Sequence, residues 1–283
     1  MSALGRPRVA LHEGDDRGAG ASLRRISAVV LRHAYILRGS WPRLFELMYW
    51  PLLQMVLWGF VTLYLLQISS VIASAAGILV TGVLLWEILF RGQLGFSISF
   101  LEEVWSRNLG NLAVSPLRPW EFLASLMVMS LVRTLLGVLP AALLAIWFYE
   151  ASVFALGLPL VGFFVALIVM SWALGMGVCA LILRVGLGAE SIAWLVVFIL
   201  APVSAVYYPV SVLPEWLQQV SWCLPTAAVF EGMRAILLDG TFRPDLLLRA
   251  FLLDALYLAI GAGLFLYSYH VARRRGLLLQ IGE

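Results

Sequence analysis

Polar positions divide this chain into long apolar runs. An apolar helix needs about 20 residues to cross the hydrocarbon of a bilayer. Runs near residues 44–66, 71–90, 122–149, 156–183, 189–208 and 248–270 therefore predict six transmembrane helices, an all-α polytopic membrane protein with both termini on one side. Ahead of the first run, residues 22–40 have a different pattern. At roughly 100° per residue, Leu23, Ile26, Val29, Val30, Ala34, Ile36 and Leu37 gather on one side and Arg24, Arg25, Arg32 and Arg38 on the other. This predicts an amphipathic interface helix along the inner leaflet, its Arg face toward anionic headgroups. Its role is either a surface anchor or a gate and partner contact at the membrane rim. His33 falls on the apolar side and reads as an interface residue. Residues 1–21 are polar and mixed in charge, lack the apolar core of a signal peptide, and read as a disordered cytoplasmic tail.

Two segments between the runs carry local structure. In the 91–120 loop, Ser99 and Glu102 have the spacing of a capping box, and Glu103 can pair with Arg107 one turn later. A short charged helix over residues 99–108, facing a soluble partner, is the expectation. Across 209–240, Pro214 suits the first turn of a helix running to Trp222, Pro225 breaks it, and a second helix can follow over 226–238. Each piece is too short to cross and too apolar for water, which predicts two half-helices re-entering the outer leaflet under protein cover. Glu231 and Arg234, three apart, can neutralise each other there.

Composition sharpens the membrane reading: 62% of residues are hydrophobic, 12% are charged, and the mean hydropathy is +0.96. All 19 basic residues are Arg. With both termini inside, 15 of them fall on the inner side. Arg234, Arg243 and Arg249 remain outside and Arg133 lies within the third run, a bias that sets the amino terminus in the cytoplasm. The net charge of +3 follows from that bias and does not argue for nucleic acid. Arg133 sits 11 residues past Phe122, about 16 Å deep at 1.5 Å per residue, and needs a partner. Asp254, Glu87 and an anionic substrate are the candidates, for either a fixed ion pair or a substrate pathway. Trp50 and Trp58 differ by about 80° on a helix and can share a face, toward packing or toward a lumen.

Catalytic chemistry is missing from the pattern. His12, His33 and His270 are near no Cys or carboxylate at ligand spacing, and Cys179 and Cys223 read as ordinary small residues. Gly175-Met-Gly177 and Gly186-Leu-Gly188 complete no nucleotide fingerprint, and a chain without lysine has no P-loop. Ala173, Gly175, Gly177 and Cys179 predict close helix packing. The two halves show no matching pattern of the kind many secondary transporters carry.

Taken in order along the runs, two motifs resemble the membrane subunit of an ABC exporter of the ABC-2 type. One is Glu102-Glu103-Val-Trp105-Ser-Arg107-Asn108 followed by Ser115-Pro116-Leu117. The other runs from Tyr208-Pro209 through Leu213-Pro214-Glu215-Trp216-Leu217 and Pro225 to Glu231-Gly232-Met233-Arg234. The resemblance covers roughly residues 22–275. It implies a transmembrane domain over 41–283 in a bacterial cytoplasmic membrane, paired with a second copy or a related permease. A separate nucleotide-binding subunit would hold ATP and Mg, leaving no cofactor on this chain. Glu102, Glu103, Trp105, Arg107 and Asn108 would couple to that ATPase subunit. Arg133, Trp50, Trp58, Tyr207 and Tyr208 would line the substrate pathway. Pro209, Pro214, Trp216, Pro225, Glu231 and Arg234 would form the outer gate. The implied substrate is a polysaccharide or lipid-linked glycan, with drugs or lipids as the alternative. An ion-coupled secondary transporter or a non-transporting scaffold is the reading from a different class.

Overall fold

The computed structural model describes residues 18–68, 70–149 and 153–279, so most of the expected 1–21 tail lies outside the described residues. In chain order the α-helices are α1 (Ala19–Arg38), α2 (Trp41–Ile68), α3 (Ser70–Trp105), α4 (Leu109–Val114) and α5 (Pro119–Tyr149). They continue with α6 (Pro159–Val185), α7 (Ile192–Val203), α8 (Glu215–Trp222), α9 (Pro225–Asp239) and α10 (Pro244–Arg274). Within them, five stretches are long and apolar enough to cross a membrane, in α2, α3, α5, α6 and α10. The chain is an all-α polytopic membrane protein. Below, the lower end of the bundle is the one at which α3 terminates.

The expected second crossing and the expected separate helix over 99–108 are one continuous helix. With 36 residues, α3 is about 54 Å long at 1.5 Å per residue. Polar residues do not end it because most of their groups are bonded within the helix: Arg91 donates to Glu87 (3.0 Å), the Gln93 amide nitrogen to Ser97 (3.1 Å), and Ser99 Oγ to the Gly95 carbonyl (2.7 Å), while the Gln93 amide oxygen is buried without a partner. Ser99 is thus a buried mid-helix residue and caps nothing. The helix ends at Trp105, and Arg107 turns the chain with a φ of 53°. Arg107 therefore lies off the helix on which its one-turn spacing from Glu103 was read.

A second correction concerns the crossing expected over 189–208. Here α7 has 12 residues, about 18 Å of helix, with Pro202 in its last turn. It begins beside the α3 terminus, where the Trp105 indole N–H donates to Glu190 (3.3 Å). Irregular chain then carries it up to Gly82, at which an added Cβ would lie 3.1 Å from the Val206 carbonyl. Freed carbonyls on this stretch find donors within the chain. Arg234 donates to the Ala205 oxygen (2.9 Å), and the Tyr208 hydroxyl to that of Pro202 (2.6 Å). Non-helical backbone in a bilayer is tolerated on that condition.

On the far side of that stretch, α8 and α9 are the two short helices expected between Pro214 and Leu238. Pro214 precedes α8, Pro225 opens α9, and Gly240 ends α9 in the left-handed region at φ 64°.

Glycines set the spacing of the central helices. A Cβ on Gly175 of α6 would sit 2.8 Å from the Phe96 ring of α3, and one on Gly261 of α10 would sit 2.7 Å from the Ala173 carbonyl of α6. The small-residue stretch of α6 therefore does pack closely, against α3 on one side and α10 on the other. Two apolar clusters stack between these helices, an upper one around Leu84, Phe163 and Phe230 and a lower one around Phe96, Phe100, Phe122 and Phe265. Gly261→Ala is expected to cost about 1–3 kcal/mol by forcing α10 off the α6 backbone. Gly263→Ala, two residues away with no atom within 4 Å of its added Cβ, should be neutral. Thermal unfolding of the two purified variants in detergent measures the difference.

Candidate functional site

At the lower end, α1 lies against α3 and α5 with Ala21, Val29, His33 and Leu37 turned into the bundle. This stripe brings Arg25 and Arg32 inward as well, which corrects the expectation that all four Arg of this helix face headgroups. Arg25 makes two bonds to Glu121, at 2.7 and 2.9 Å, and Arg32 donates to Glu103 (3.0 Å). Leu23 and Tyr35 are left exposed on the outer surface of the helix.

Around the end of α3 these contacts join into one network. Arg133 Nη2 donates to both oxygens of Glu102, at 2.9 and 2.8 Å; Arg43 adds a third bond (3.2 Å), and His33 Nδ1 lies 3.2 Å from the same carboxylate. The other ring nitrogen of His33 is 3.4 Å from Glu103, whose second oxygen accepts from Asn108 (2.6 Å). Glu102, Glu103, Glu121, Arg133 and His33 are all buried. A buried carboxylate is stable only when paired and hydrogen-bonded, and this one end of α3 draws its counter-ions from α1, α2 and α5.

Neither of the two carboxylates expected to pair with Arg133 is the one found. Its Cβ is level with Gly95, and its side chain reaches toward the α3 terminus to meet the Glu102 carboxylate. Glu87 is instead held by Arg91, and both carboxylate oxygens of Asp254 are buried without a hydrogen-bond partner.

Of the five residues expected to meet a soluble partner, the structure separates two from three. Glu102 and Glu103 are shut inside the network, which removes them from any surface. Trp105 and Arg107 are exposed, and Asn108 is half-buried at the start of α4. Sequence reasoning missed α4 itself, a turn and a half that buries Leu109 and carries Val114 at 87% exposure. The signal was there in Asn108 and Pro116, which flank this short apolar segment.

Higher up, α2, α3 and α7 enclose a cleft of about 340 Å³. Trp50, Trp86, Phe90, Trp194, Phe198 and Tyr207 form its walls, and Glu46, Gln54, Glu87 and Arg91 supply its polar groups. Trp58 lies outside that lining but stacks on Tyr207, with ring centroids 4.8 Å apart and planes 14° from parallel. Two other cavities adjoin the cleft. A lower one of about 230 Å³ shares Glu46, Arg91 and Trp194 with it and reaches Glu102, Arg133 and Glu190. An upper vestibule of about 970 Å³ shares Tyr207 and is lined by Tyr208, Pro209, Trp222, Glu231 and Arg234. Arg133 therefore sits one cavity below Trp50 and Tyr207.

At the upper end, Glu231 and Arg234 pair at 3.1 Å as expected and clamp the chain after α7. Glu231 accepts the Val210 N–H (2.7 Å), while Arg234 holds the carbonyl of Ala205, a residue kept at a φ of 54°. Pro209, Pro214 and Trp216 are exposed, and Pro225 is buried in the first turn of α9. Among the described residues no group of three or more His, Cys, Asp or Glu could hold a metal ion. Removing Arg133 leaves Glu102 buried against fewer charges, so Arg133→Ala should destabilise by on the order of 3 kcal/mol. Arg43, about half exposed, should cost below about 1 kcal/mol when changed to Ala. Denaturant titration of both variants by circular dichroism tests that ranking.

A search of curated proteins found no match. A family model described as ABC-2 type transporter matches residues 37–238, well over half of the chain's 283 residues. That span runs from the end of α1 to the end of α9 and takes in Glu102, Glu103 and Arg133, α4, and the linings of the cleft and of the cavity below it. The chain belongs to the ABC-2 type transporter family and is a multi-pass membrane permease.

Proposed function

We propose that this permease is the transmembrane subunit of an ATP-driven exporter, energised by a separate nucleotide-binding subunit that holds ATP and Mg. The family's general habit of working with an ATPase subunit and dimerising supports both that partner and a second permease, a copy of this chain or a relative. One observation carries the reading: three adjoining cavities follow α2, α3 and α7 from the charged network to the vestibule, each sharing lining residues with the next. Substrate would enter low, pass the tryptophan-lined cleft, and leave past Tyr207. The Trp58–Tyr207 stack closes the upper boundary of the cleft, and its separation opens the cleft to the vestibule under α8 and α9. The clamp made by Glu231 and Arg234 keeps that outer gate in register with α7.

The ATPase subunit would seat on the turn between α3 and α5, against Trp105, Arg107, Val114 and Trp120. Glu102 and Glu103 then act one layer in. A push on α4 moves the end of α3, and their ion pairs carry that movement to α1, α2 and α5. The Arg distribution supports placing this end, and both termini, on the cytoplasmic side of a bacterial inner membrane. Aromatic walls suit a glycan or glycolipid sliding over ring faces, and equally a drug or lipid.

Purification of the full chain from its host under mild detergent should recover an ABC-type ATPase near one-to-one. Recovery of the chain alone, as a stable oligomer, would overturn the reading. In the recovered complex, Val114→Asp puts a charge on the exposed turn without touching the core. Permease-stimulated ATP hydrolysis should fall about tenfold, the loss of one interface anchor of about 1.4 kcal/mol, with the melting temperature of the isolated permease unchanged.

A further inference from the structure

We infer that the flank between α6 and α10 is a resident site for one anionic phospholipid, its phosphate held at the lower end and an acyl chain lying in the groove above. The assignment rests on the proposed orientation only for the leaflet, the cytoplasmic one. Two cavities of about 250 Å³ each carry it. The lower one lies between the ends of the two helices, lined by Arg184, Tyr267, Ser268 and Arg275 among others. Arg184 is fixed there: its Nε donates to the buried Ser268 hydroxyl (3.0 Å), and its guanidinium lies 5.2 Å from the centroid of the Tyr267 ring. A cation near the C-terminus of a helix ordinarily bonds that helix's last carbonyls. Arg184 instead crosses to α10, to a residue six positions, about 9 Å, inside the end of that helix at Arg274. Its two Nη groups make no hydrogen bond within the described residues, and neither Arg184 nor Arg275 makes an ion pair there. No carboxylate lines this cavity. Two guanidiniums sharing a cavity without a counter-ion call for an anion, and a phosphate matches the guanidinium fork.

The second cavity continues the first. On α10, Tyr257, Gly261 and Leu264 line the upper cavity and Ser268, Val271 and Arg275 the lower, one stripe spaced alternately by four and three residues. On α6, Gly177 and Leu181 lead in the same way to Arg184. The upper lining is apolar apart from Tyr257, whose hydroxyl donates to the Cys223 carbonyl (3.2 Å). Gly177 keeps the groove open, since a Cβ there would meet no atom within 4 Å. From Tyr257 down to Ser268 is 11 residues, about 16 Å at 1.5 Å per residue, and one leaflet is half of a hydrocarbon core roughly 30 Å thick. The groove therefore has the length of an acyl chain hanging from a phosphate at Arg184. A soluble anion would leave the groove empty, and a neutral lipid would leave both Arg without a counter-ion. A choline headgroup would bring its own cation against them. An anionic lipid uses both parts, as basic pockets between helices at the cytoplasmic surface do. The α7 residues of the groove, Ile192 and Val196, are turned away from Trp194 and Phe198, which wall the cleft, so this lipid lies outside the proposed substrate route.

The test is native mass spectrometry of the purified full-length permease in detergent, titrated with dioleoylphosphatidylglycerol and, for comparison, dioleoylphosphatidylcholine. One phosphatidylglycerol per chain should be retained about tenfold more tightly than phosphatidylcholine. Arg184→Gln and Arg275→Gln should each weaken it about tenfold. Arg275 follows the last turn of α10 and is exposed, so its variant gives a reading even where Arg184→Gln loses the Ser268 bond and the fold with it. Arg273→Gln removes the same charge from the opposite side of that helix end and should change little. Gly177→Leu, which fills the groove, should weaken retention several-fold. Equal retention of the two lipids, or an equal loss with Arg273→Gln, would reduce the site to general attraction by a basic helix end and overturn it. Displacement of the lipid by millimolar inorganic phosphate would make the ligand a free anion. Loss of a self-associated form with Gly177→Leu would make the groove a subunit interface. Either result overturns the assignment as well. No ATPase or substrate is present in these measurements. Their failure leaves the exporter reading standing, and a retained lipid would survive the failure to find an ATPase partner.

Discussion

Everything at the lower end of this bundle depends on how two neighbouring carboxylates, Glu102 and Glu103, are kept buried. Neither can be desolvated alone, and a helix that presents both on adjacent positions presents them to different neighbours, about 100° apart. Glu102 turns to Arg133 of α5 and Arg43 of α2, while Glu103 turns to Arg32 of α1. His33 lies between the two. The consequence is mechanical. Three helices are held to the last turn of a fourth by charge, at the point where that helix leaves the bundle for an exposed turn. A displacement of α4 cannot be absorbed by local slippage without separating buried ions, so it is transmitted.

The rest of the bundle is held differently, by close approaches at Gly82, Gly175 and Gly261 together with the packing of Leu84, Phe163 and Phe230. The Gly261 approach leaves no room for rotation of α6 against α10, which makes that pair the stationary part. The face of α2 and α7 is by contrast loosely filled: the three cavities lie along it, and its aromatic residues are among the exposed ones. Rigid packing on one side and connected space on the other is the arrangement a moving wall needs, with α3 belonging to both.

Legibility in the sequence followed the range of the interactions. Signals that act within one turn were readable: Pro214 and Pro225 placed α8 and α9, the Glu231–Arg234 spacing gave their pair, and the small residues of α6 gave its packing. Signals that depend on distant residues were not. Ser99 and Glu102 look like a capping box in isolation. The residues that make them helix interior, Gly95 one turn back and Arg133 on another helix, are invisible to local spacing. The same holds for α1, where projecting apolar against charged residues put Arg25 and Arg32 on the wet side. Glu121 lies 96 residues from the first and Glu103 71 from the second, and each reverses that choice. The short α7 was misread because hydropathy counts apolar residues and not hydrogen bonds. Residues 204–208 are apolar enough for a helix, yet the carbonyls of Ala205 and Val206 are claimed by Arg234, which lies 28 and more residues along the chain on another helix.

In the exporter proposed here, a push at one end has to become an opening at the other, some 50 Å of helix away by the length of α3, about 1.5 Å per residue over 36 residues. A continuous helix is the stiffest element available for that purpose. It stays continuous through Arg91, Gln93, Ser97 and Ser99 with their donors bonded on the helix itself. The one polar residue on this stretch that also faces the cleft is Arg91, bound to Glu87 within a turn and placed over the Phe90 ring at 5.4 Å. The lever and the cleft thus share a residue. Any tilt of α3 that shifts Arg91 changes the electrostatics of the aromatic walls at the same time as it shifts the α2 face. The position of α3 and the electrostatics of the cleft walls are thus linked through that single side chain, without any path of rearrangements between them.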